Sequence, residues 1–212
     1  MYLPLEIENY LLDHIDPPDD LLIRLERETN LKVMNPRMLS GPIQGGLLAM
    51  LVKMIAPATV LEIGTYTGYS AICMARALPV GGKLITIERD DELESLIRKY
   101  ISWAGLEAVI DLRIGRAQSV IARLKGFFNL VFIDGDKREY VEYYNRVFNL
   151  VPSGGWILAD NTLWDGKVTD PRSASDHQTA GVMKFNDMVA ADARVEKVIL
   201  PVRDGLTIIR KK

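Results

Sequence analysis

The chain has 212 residues, of which 48% are hydrophobic and 25% charged, and its formal net charge is -2. This length and composition predict one ordinary globular α/β domain, exclude a disordered chain and give no bulk charge for binding nucleic acid. The N-terminus is acidic where a signal peptide needs a basic start, and we identified no transmembrane-length apolar run, so we expect a cytoplasmic protein with no membrane partner. The single cysteine, Cys73, excludes an intramolecular disulfide, and we expect a buried, inert thiol.

The first quarter of the chain is predicted to be helical, with one long loop. Apolar spacing predicts helices over Leu3–Ile15 and Leu21–Asn30, separated by a proline-containing acidic break. Residues 32–46 hold two prolines and three glycines and predict a loop, after which Leu47–Ile55 has the pattern of an apolar helix.

From residue 57 onward, strand patterns alternate with helix patterns. The predicted strands are Val60–Ile63, Leu84–Ile87, Ile110–Ile114, Leu130–Ile133, Trp156–Ala159, Val195–Pro201 and Leu206–Arg210. The predicted helices between them are Ala71–Ala77, Glu92–Trp103, Gln118–Leu124, Tyr140–Leu150 and one within Ser173–Ala191. The alternation predicts a doubly wound, mostly parallel seven-stranded sheet. The Asp204-Gly205 pair predicts a hairpin, so the last two strands should be antiparallel.

The stretch TVLEIGTYTGYS, residues 59–70, reads as a strand, a glycine turn and the start of a helix. Glycine lets the backbone adopt positive φ and lets a ligand approach the main chain, while the first turn of a helix presents free N–H groups. The same pattern also fits a tight turn that binds nothing.

An acidic residue after the second strand favours a nucleoside at this turn. Glu88 follows the turn by about 20 residues, where a carboxylate accepts the hydroxyls of a ribose. A dinucleotide needs the spacing G-x-G-x-x-G, whereas Gly64 and Gly68 are separated by three residues, so the spacing suits a nucleoside without a pyrophosphate. After the third strand, the small-residue turn at Gly115–Gln118 is placed to flank an adenine ring.

Acidic and amide side chains follow the fourth and fifth strands. Asp134 and Asp160-Asn161 come directly after buried strands, at one edge of the predicted sheet. An all-oxygen ligand set favours a hard divalent cation such as Mg²⁺, although each aspartate alone also fits a turn or a helix cap. Zinc is disfavoured because the chain offers only His14, His177 and Cys73. Lys137, three residues after Asp134, is a candidate general base because a neighbouring cation promotes loss of its proton.

Together, the stretches VLEIGTYTGYSA, NLVFIDGDK and GGWILADNTLWDGKV resemble the metal-dependent O-methyltransferases related to catechol and caffeoyl-coenzyme A O-methyltransferases, which use S-adenosylmethionine. The resemblance covers nearly the whole chain. It implies one class I, Rossmann-like methyltransferase domain over 1–212, in which 1–56 supply extra helices and a cofactor-covering loop and 57–212 form the catalytic core. It also implies a homodimer.

The resemblance assigns roles residue by residue. It places the cofactor against Met38, Ser40, Glu62, Gly64, Thr65, Tyr66, Ser70, Glu88, Ala117, Gln118, Asp134 and Asp136. The metal ligands would be Asp134, Asp160 and Asn161, and the catalytic residues Lys137 and Asp134. Trp164 and Asp165 would face the substrate, and Asp165 replaces an asparagine that contacts substrate in plant relatives.

These roles imply a mechanism and leave the acceptor open. The cation, Mg²⁺ with Mn²⁺ or Ca²⁺ as alternatives, would chelate two neighbouring substrate oxygens, and Lys137 would take the proton of the methylated hydroxyl. The acceptor is either a catechol-like or hydroxycinnamoyl small molecule or a hydroxyuridine in transfer RNA. The phosphates of transfer RNA could bind the basic residues Arg37, Lys167, Arg172 and 210–212. A non-catalytic nucleotide-binding or assembly protein is a further alternative, which the acidic cluster and Lys137 disfavour.

Overall fold

A computed structural model describes residues 4–212 of the chain. Its α-helices are α1 Leu5–Asp13, α2 Asp20–Lys32, α3 Gly41–Ile55, α4 Tyr69–Arg76, α5 Glu94–Trp103, α6 Ala117–Ile121, α7 Tyr140–Phe148 and α8 His177–Ala191. Its strands are β1 Thr59–Ile63, β2 Lys83–Glu88, β3 Ile110–Ile114, β4 Leu130–Ile133, β5 Trp156–Asp160, β6 Val195–Leu200 and β7 Leu206–Lys211. Short 3₁₀ segments cover Pro36–Met38, Asp91–Leu93, Lys137–Glu139, Trp164–Thr169 and Pro171–Ser175.

Within residues 4–212, seven strands form one sheet in the order β3-β2-β1-β4-β5-β7-β6. The pairs β2–β3, β1–β4 and β4–β5 are parallel, and β5–β7 and β6–β7 are antiparallel. The predicted doubly wound sheet with a C-terminal antiparallel hairpin is therefore confirmed. The register places Ile63 opposite Ile133 and Ile133 opposite Ala159, so β1 and β4 end at the same level and β5 ends one residue later, at Asp160.

The chain divides into two compact units, which are described separately. The Asp134 unit comprises Thr59–Gly64 and Arg116–Lys212, and the Glu88 unit comprises residues 4–58 and Thr65–Gly115. In the Asp134 unit, every residue of β4 is fully buried, as a parallel strand covered on both faces requires. In the Glu88 unit, helices α3 and α4 pack together, and Cys73 of α4 is buried as predicted.

The predicted loop over residues 32–46 is partly wrong, because α3 begins at Gly41 and not at Leu47. Pro42 lies in the first turn, where its missing N–H and fixed φ are tolerated. Gly45 occupies the helix interior because α4 packs so closely there that a side chain would not fit. A Cβ at this position would lie 2.7 Å from Tyr69 Cε1 and 2.8 Å from Cys73 Sγ.

Other predicted helices differ at their ends. Residue 3, the first of the predicted N-terminal helix, lies outside the described residues, and α1 starts at Leu5. The helix predicted within Ser173–Ala191 starts at His177, because the side chain of Asp176 accepts hydrogen bonds from the first-turn N–H groups and caps it. Helix α6 has five residues where a longer one was predicted.

One stretch, Pro36–Ile55, is apolar enough by length and composition to cross a membrane, with a mean hydropathy of 1.4, in contrast to the expectation of no such stretch. Core helices of soluble proteins pass the same test. Its continuous α-helical part, α3, has 15 residues. At 1.5 Å per residue this is about 22 Å, shorter than the ~30 Å of a bilayer core.

Candidate functional site

In the Glu88 unit, the turn after β1 is tied to the end of β2. The backbone N–H of Tyr66 donates to Glu88 Oε2 at 2.6 Å, and the N–H of Thr65 donates to the carbonyl of Ile87 at 3.2 Å. Tyr66 and Gly68 have φ values of 52° and 95°, which the turn needs to enter α4. The predicted pairing of the glycine turn with Glu88 is therefore present in this unit.

The Glu88 carboxylate is nearly buried and held from three sides. Its Oε1 accepts backbone hydrogen bonds from Arg89 at 2.8 Å and Asp90 at 2.9 Å, in addition to the bond from Tyr66 to Oε2. Burial raises the pKa of Glu88, and the three backbone donors oppose that rise. A carboxylate oxygen has two acceptor positions, so Oε2 keeps capacity for a ligand hydroxyl.

The remaining predicted cofactor residues of this unit differ in exposure. Ser40 and Ser70 are buried, whereas Met38 is 60% exposed. The Tyr66 hydroxyl donates to the carbonyl oxygens of Met34 and Asn35, each at 3.2 Å, which attaches the turn to the segment that leads to Met38. The loop predicted to cover the cofactor thus has a direct contact with the glycine turn.

In the Asp134 unit, the ends of β1 and β4 approach closely. The N–H of Asp134 donates to the carbonyl of Ile63 at 2.8 Å. Gly64 has φ 100°, and a Cβ there would collide with the backbone carbonyl of Asp134. Only glycine fits at position 64, because both the conformation and the space exclude a side chain. Glu62 of β1 is fully buried.

Lys137 forms the centre of a buried polar cluster. Its Nζ donates to Asp134 Oδ1 at 2.9 Å and to the Tyr140 hydroxyl at 2.6 Å, and the residue is 6% exposed. The Tyr140 hydroxyl lies 3.0 Å from the carbonyl oxygen of Asp160 and 3.2 Å from that of Ile133. Burial, and then Asp134 and Asp160, raise the pKa of Tyr140 well above its ordinary value, so this phenol stays neutral. The cluster joins the ends of β4 and β5.

Tyr140 was predicted only as part of a helix and not as a site residue. The signal was present in the sequence. Tyr140 follows Lys137 by three residues, and a chain that enters a helical turn places residues at that spacing on one side.

The predicted metal ligands offer oxygen atoms in a nearly buried setting. Asp160 is 4% exposed at the end of β5, and Asn161 follows it with φ 56°. Within residues 4–212, Asp134 Oδ2 carries no hydrogen bond, so it has capacity for a ligand. Residues 4–212 contain no group of three or more His, Cys, Asp or Glu side chains that could hold a metal ion. The predicted set has two acids and one amide and therefore falls below that number. The donor chemistry fits a hard cation that keeps waters or substrate oxygens.

Three further predicted cofactor residues lie in this unit. Asp136 caps the segment that starts at Lys137, and its carboxylate pairs with Arg138, which raises the pKa of that guanidinium. Ala117 is buried. Gln118 Oε1 is buried without a hydrogen-bond partner within residues 4–212, an arrangement that suits a ligand donor such as an amino group.

Trp164 and Asp165, the predicted substrate residues, occupy a strained loop after β5. Their φ values are 46° and 55°, a conformation that costs about 1–2 kcal/mol per non-glycine residue. The Trp164 ring lies 5.9 Å from Lys137 Nζ, so this loop is near the polar cluster.

Comparisons with known proteins give matches along nearly the whole chain. Residues 15–212 match the family model described as O-methyltransferase. The chain is 36% identical over 198 residues to the catechol O-methyltransferase of Niastella koreensis, covering 92% of this chain and 89% of that one. It is 35% identical over 214 residues to the caffeoyl-CoA O-methyltransferase of Petroselinum crispum, covering 95% and 89%.

A solved structure shares the fold along nearly the whole chain. The O-methyltransferase from Bacillus cereus in complex with SAH has a TM-score of 0.91 and 28% identity, covering 98% of this chain and 97% of that one.

Proposed function

The chain belongs to the O-methyltransferase family, and from this premise we propose that it methylates one hydroxyl of a small aromatic diol, such as a catechol or a hydroxycinnamoyl ester, beside a divalent cation. It is an enzyme of the S-adenosylmethionine-dependent O-methyltransferase class. The observation that carries the proposal is Lys137, a buried amine bonded to Asp134 and linked through Tyr140 to Asp160.

Glu88 is proposed to bind the ribose of the methyl donor. Its Oε2 has a remaining acceptor position, and its orientation is fixed by three backbone donors. The buried Oε1 of Gln118 suits the amino group of adenine. The roles of the other predicted cofactor residues stay predictions. Glu88→Gln should weaken SAH binding about tenfold or more in calorimetry, whereas the exposed Glu92→Gln should not. Equal affinities would contradict the ribose role.

Asp134, Asp160 and Asn161 are proposed to hold the divalent cation. Their oxygen donors match Mg²⁺ chemistry, with Mn²⁺ and Ca²⁺ as alternatives. When bound, the cation would supply chelation of two neighbouring substrate oxygens and lower the pKa of the hydroxyl.

Lys137 is proposed to accept the proton of the methylated hydroxyl. Asp134 and Tyr140 both accept hydrogen bonds from Nζ, so they stabilise the ammonium that this transfer produces. The hydroxyl oxygen then forms a bond to the methyl carbon as the carbon–sulfur bond breaks, and the donor leaves as a neutral thioether. The main tasks of the chain are to position the acceptor and to hold this proton.

Four of the six basic residues considered for transfer RNA, Arg172 and residues 210–212, are engaged within the chain. Arg172 pairs with Asp170 at 2.9 Å, and Arg210 pairs with Glu196 at 3.1 Å. Lys211 Nζ donates to two backbone carbonyls, and Lys212 Nζ donates to another. These contacts favour a small acceptor, in line with the names of the relatives, and they leave transfer RNA as an outcome of the test.

The acceptor is tested with labelled S-adenosylmethionine, a panel of catechols and hydroxycinnamoyl esters, and unmodified transfer RNA. We expect label in the small molecules, loss of label with Asp160→Ala, and wild-type turnover with the control Asp170→Ala. Label in transfer RNA alone would refute the small-molecule acceptor, and label in nothing would refute the proposed function.

The single-domain organisation of 1–212, the cytoplasmic location and the homodimer stay predictions. Light scattering at micromolar concentration tests the homodimer, which a monomer would refute.

A further inference from the structure

The loop after β5 contains left-handed backbone conformations that need support from the surrounding structure. Asn161, Trp164 and Asp165 have φ values of 56°, 46° and 55°, and Gly166 has φ 75°. Residues with a Cβ rarely adopt this region unless other contacts hold them there. Trp164 and Asp165 are predicted to contact the methyl acceptor. The contacts that hold these two residues therefore also determine where the methyl acceptor binds.

The turn between β6 and β7, residues 201–205, supplies these contacts. The N–H of Thr162 donates to the carbonyl of Gly205 at 3.0 Å, and the N–H of Leu163 donates to the carbonyl of Asp204 at 2.9 Å. The N–H of Asp165 donates to the Asp204 carboxylate. Three backbone N–H groups of the strained loop therefore donate hydrogen bonds to two residues of the hairpin turn.

Packing and a side-chain bond reinforce the same contact. Gly205 has φ 89°, and a Cβ there would lie 2.7 Å from the backbone nitrogen of Leu163. Thr207 Oγ1 donates to Thr162 Oγ1 at 2.8 Å, and both threonines are buried. The loop and the hairpin turn thus fit together with no space for a larger residue at 205.

We propose that Asp204 is a positioning residue that sets acceptor specificity by holding Trp164 and Asp165 in their left-handed conformations. The Trp164 ring, 5.9 Å from Lys137 Nζ, is then fixed beside the proposed proton acceptor. Asp204 acts through the loop and touches no reacting atom. The inference rests on the proposed function, because it assigns Trp164 and Asp165 to the acceptor.

Kinetics of Asp204→Ala test this role. With an asymmetrically substituted catechol, we expect the acceptor KM to rise about tenfold and the ratio of the two monomethylated products to move toward unity, as loss of one charge-assisted hydrogen bond predicts. The affinity for SAH should stay within twofold. Asp204→Asn keeps an acceptor oxygen and should restore most of the selectivity. Asp170→Ala, which removes a carboxylate that also accepts a backbone N–H in the same loop, should leave both values unchanged.

A spectroscopic measurement tests the same contact without turnover. The chain has three tryptophans, so Trp103→Phe with Trp156→Phe leaves Trp164 as the only indole. In this background, Asp204→Ala should raise acrylamide quenching of Trp164 about twofold, and Asp204→Asn should not. Unchanged quenching, or raised quenching with unchanged acceptor KM and product ratio, would overturn the inference. If the wild type methylates no acceptor, the proposed function fails, and quenching alone decides whether Asp204 holds the loop.

Discussion

The Tyr140 hydroxyl gives the sharpest test of how the polar cluster works. It accepts a hydrogen bond from Lys137 Nζ at 2.6 Å and lies 3.0 Å from the carbonyl oxygen of Asp160. Tyr140→Phe removes only this oxygen and keeps the ring packed edge-to-face on Phe185 at 5.4 Å. We therefore expect a folded protein with a misplaced Lys137.

The size of the effect follows from what the variant leaves unpaired. One hydrogen bond to a charged group is lost, and a buried carbonyl loses its partner, so the free energy of unfolding should fall by about 2–3 kcal/mol. For a domain of this size, Tm should fall by about 5–10 °C. Because Lys137 also loses the contact that orients it, kcat should fall about tenfold or more, while the SAH affinity stays within twofold.

Tyr144→Phe is the matched control on the same helix. Tyr144 is also fully buried, and its hydroxyl donates to Asp192 Oδ2 at 2.9 Å, away from Lys137. We expect its thermal melt to shift by several degrees with kcat within twofold of the wild type. Equal kcat values for the two variants, measured with saturating methyl donor and acceptor, would refute the positioning of Lys137 by Tyr140.

Two further predictions concern the Glu88 unit. Gly45→Ala places a methyl group 2.7 Å from Tyr69 Cε1 and should destabilise the fold by about 1–3 kcal/mol. Gly46→Ala meets nothing within 4 Å and should stabilise the fold by up to ~1 kcal/mol. Urea melts of the two variants measure these changes, and equal changes in the free energy of unfolding would contradict the close α3–α4 contact. Hydrogen bonds from Lys99, then Lys32 and Tyr100, lower the pKa of Glu28 from 4.5 to about 2, so its contribution to stability is present above pH 4.5 and is lost as the pH falls through about 2. The Glu28 side chain is partly exposed, so Glu28→Gln should lower the free energy of unfolding by only about 1 kcal/mol at pH 6 and by almost nothing near pH 2. A loss of stability that does not change with pH would contradict this prediction.

The sheet could be predicted because its strands have unusually clear sequence patterns. Leu130–Ile133 is a continuous apolar run that ends at Asp134, and it is a fully buried parallel strand. The Asp204-Gly205 pair predicted the final hairpin, and the antiparallel pairing of β6 with β7 confirms it. In both cases, neighbouring residues alone determine the pattern.

The start of α3 could not be predicted from local pattern. Gly41, Pro42 and Gly45 read as loop residues, yet Pro42 fits a first helical turn and Gly45 allows close contact with α4. The second reason depends on a helix that begins 24 residues later, at Tyr69. Tertiary packing therefore overrode the low helix propensity of these glycine and proline residues.

The candidate site was predictable where residues act near their own strand, as with Asp134 and Lys137, which the structure joins at 2.9 Å. The contact of Asp204 with Asp165 joins segments 39 residues apart, and no local sequence spacing predicts this contact. The Tyr140 contact with the carbonyl of Asp160 is likewise set by the parallel pairing of β4 with β5. Such contacts require the folded chain.

Metal-dependent turnover is the most direct test of a catalytic cation at Asp134, Asp160 and Asn161. The wild type and Asp160→Ala are assayed with labelled S-adenosylmethionine and a catechol, first in excess chelator and then after addition of Mg²⁺. We expect chelator to abolish wild-type methylation and Mg²⁺ to restore it, and we expect Asp160→Ala, folded by its thermal melt, to stay inactive in both conditions. Unchanged wild-type turnover in excess chelator would contradict this expectation.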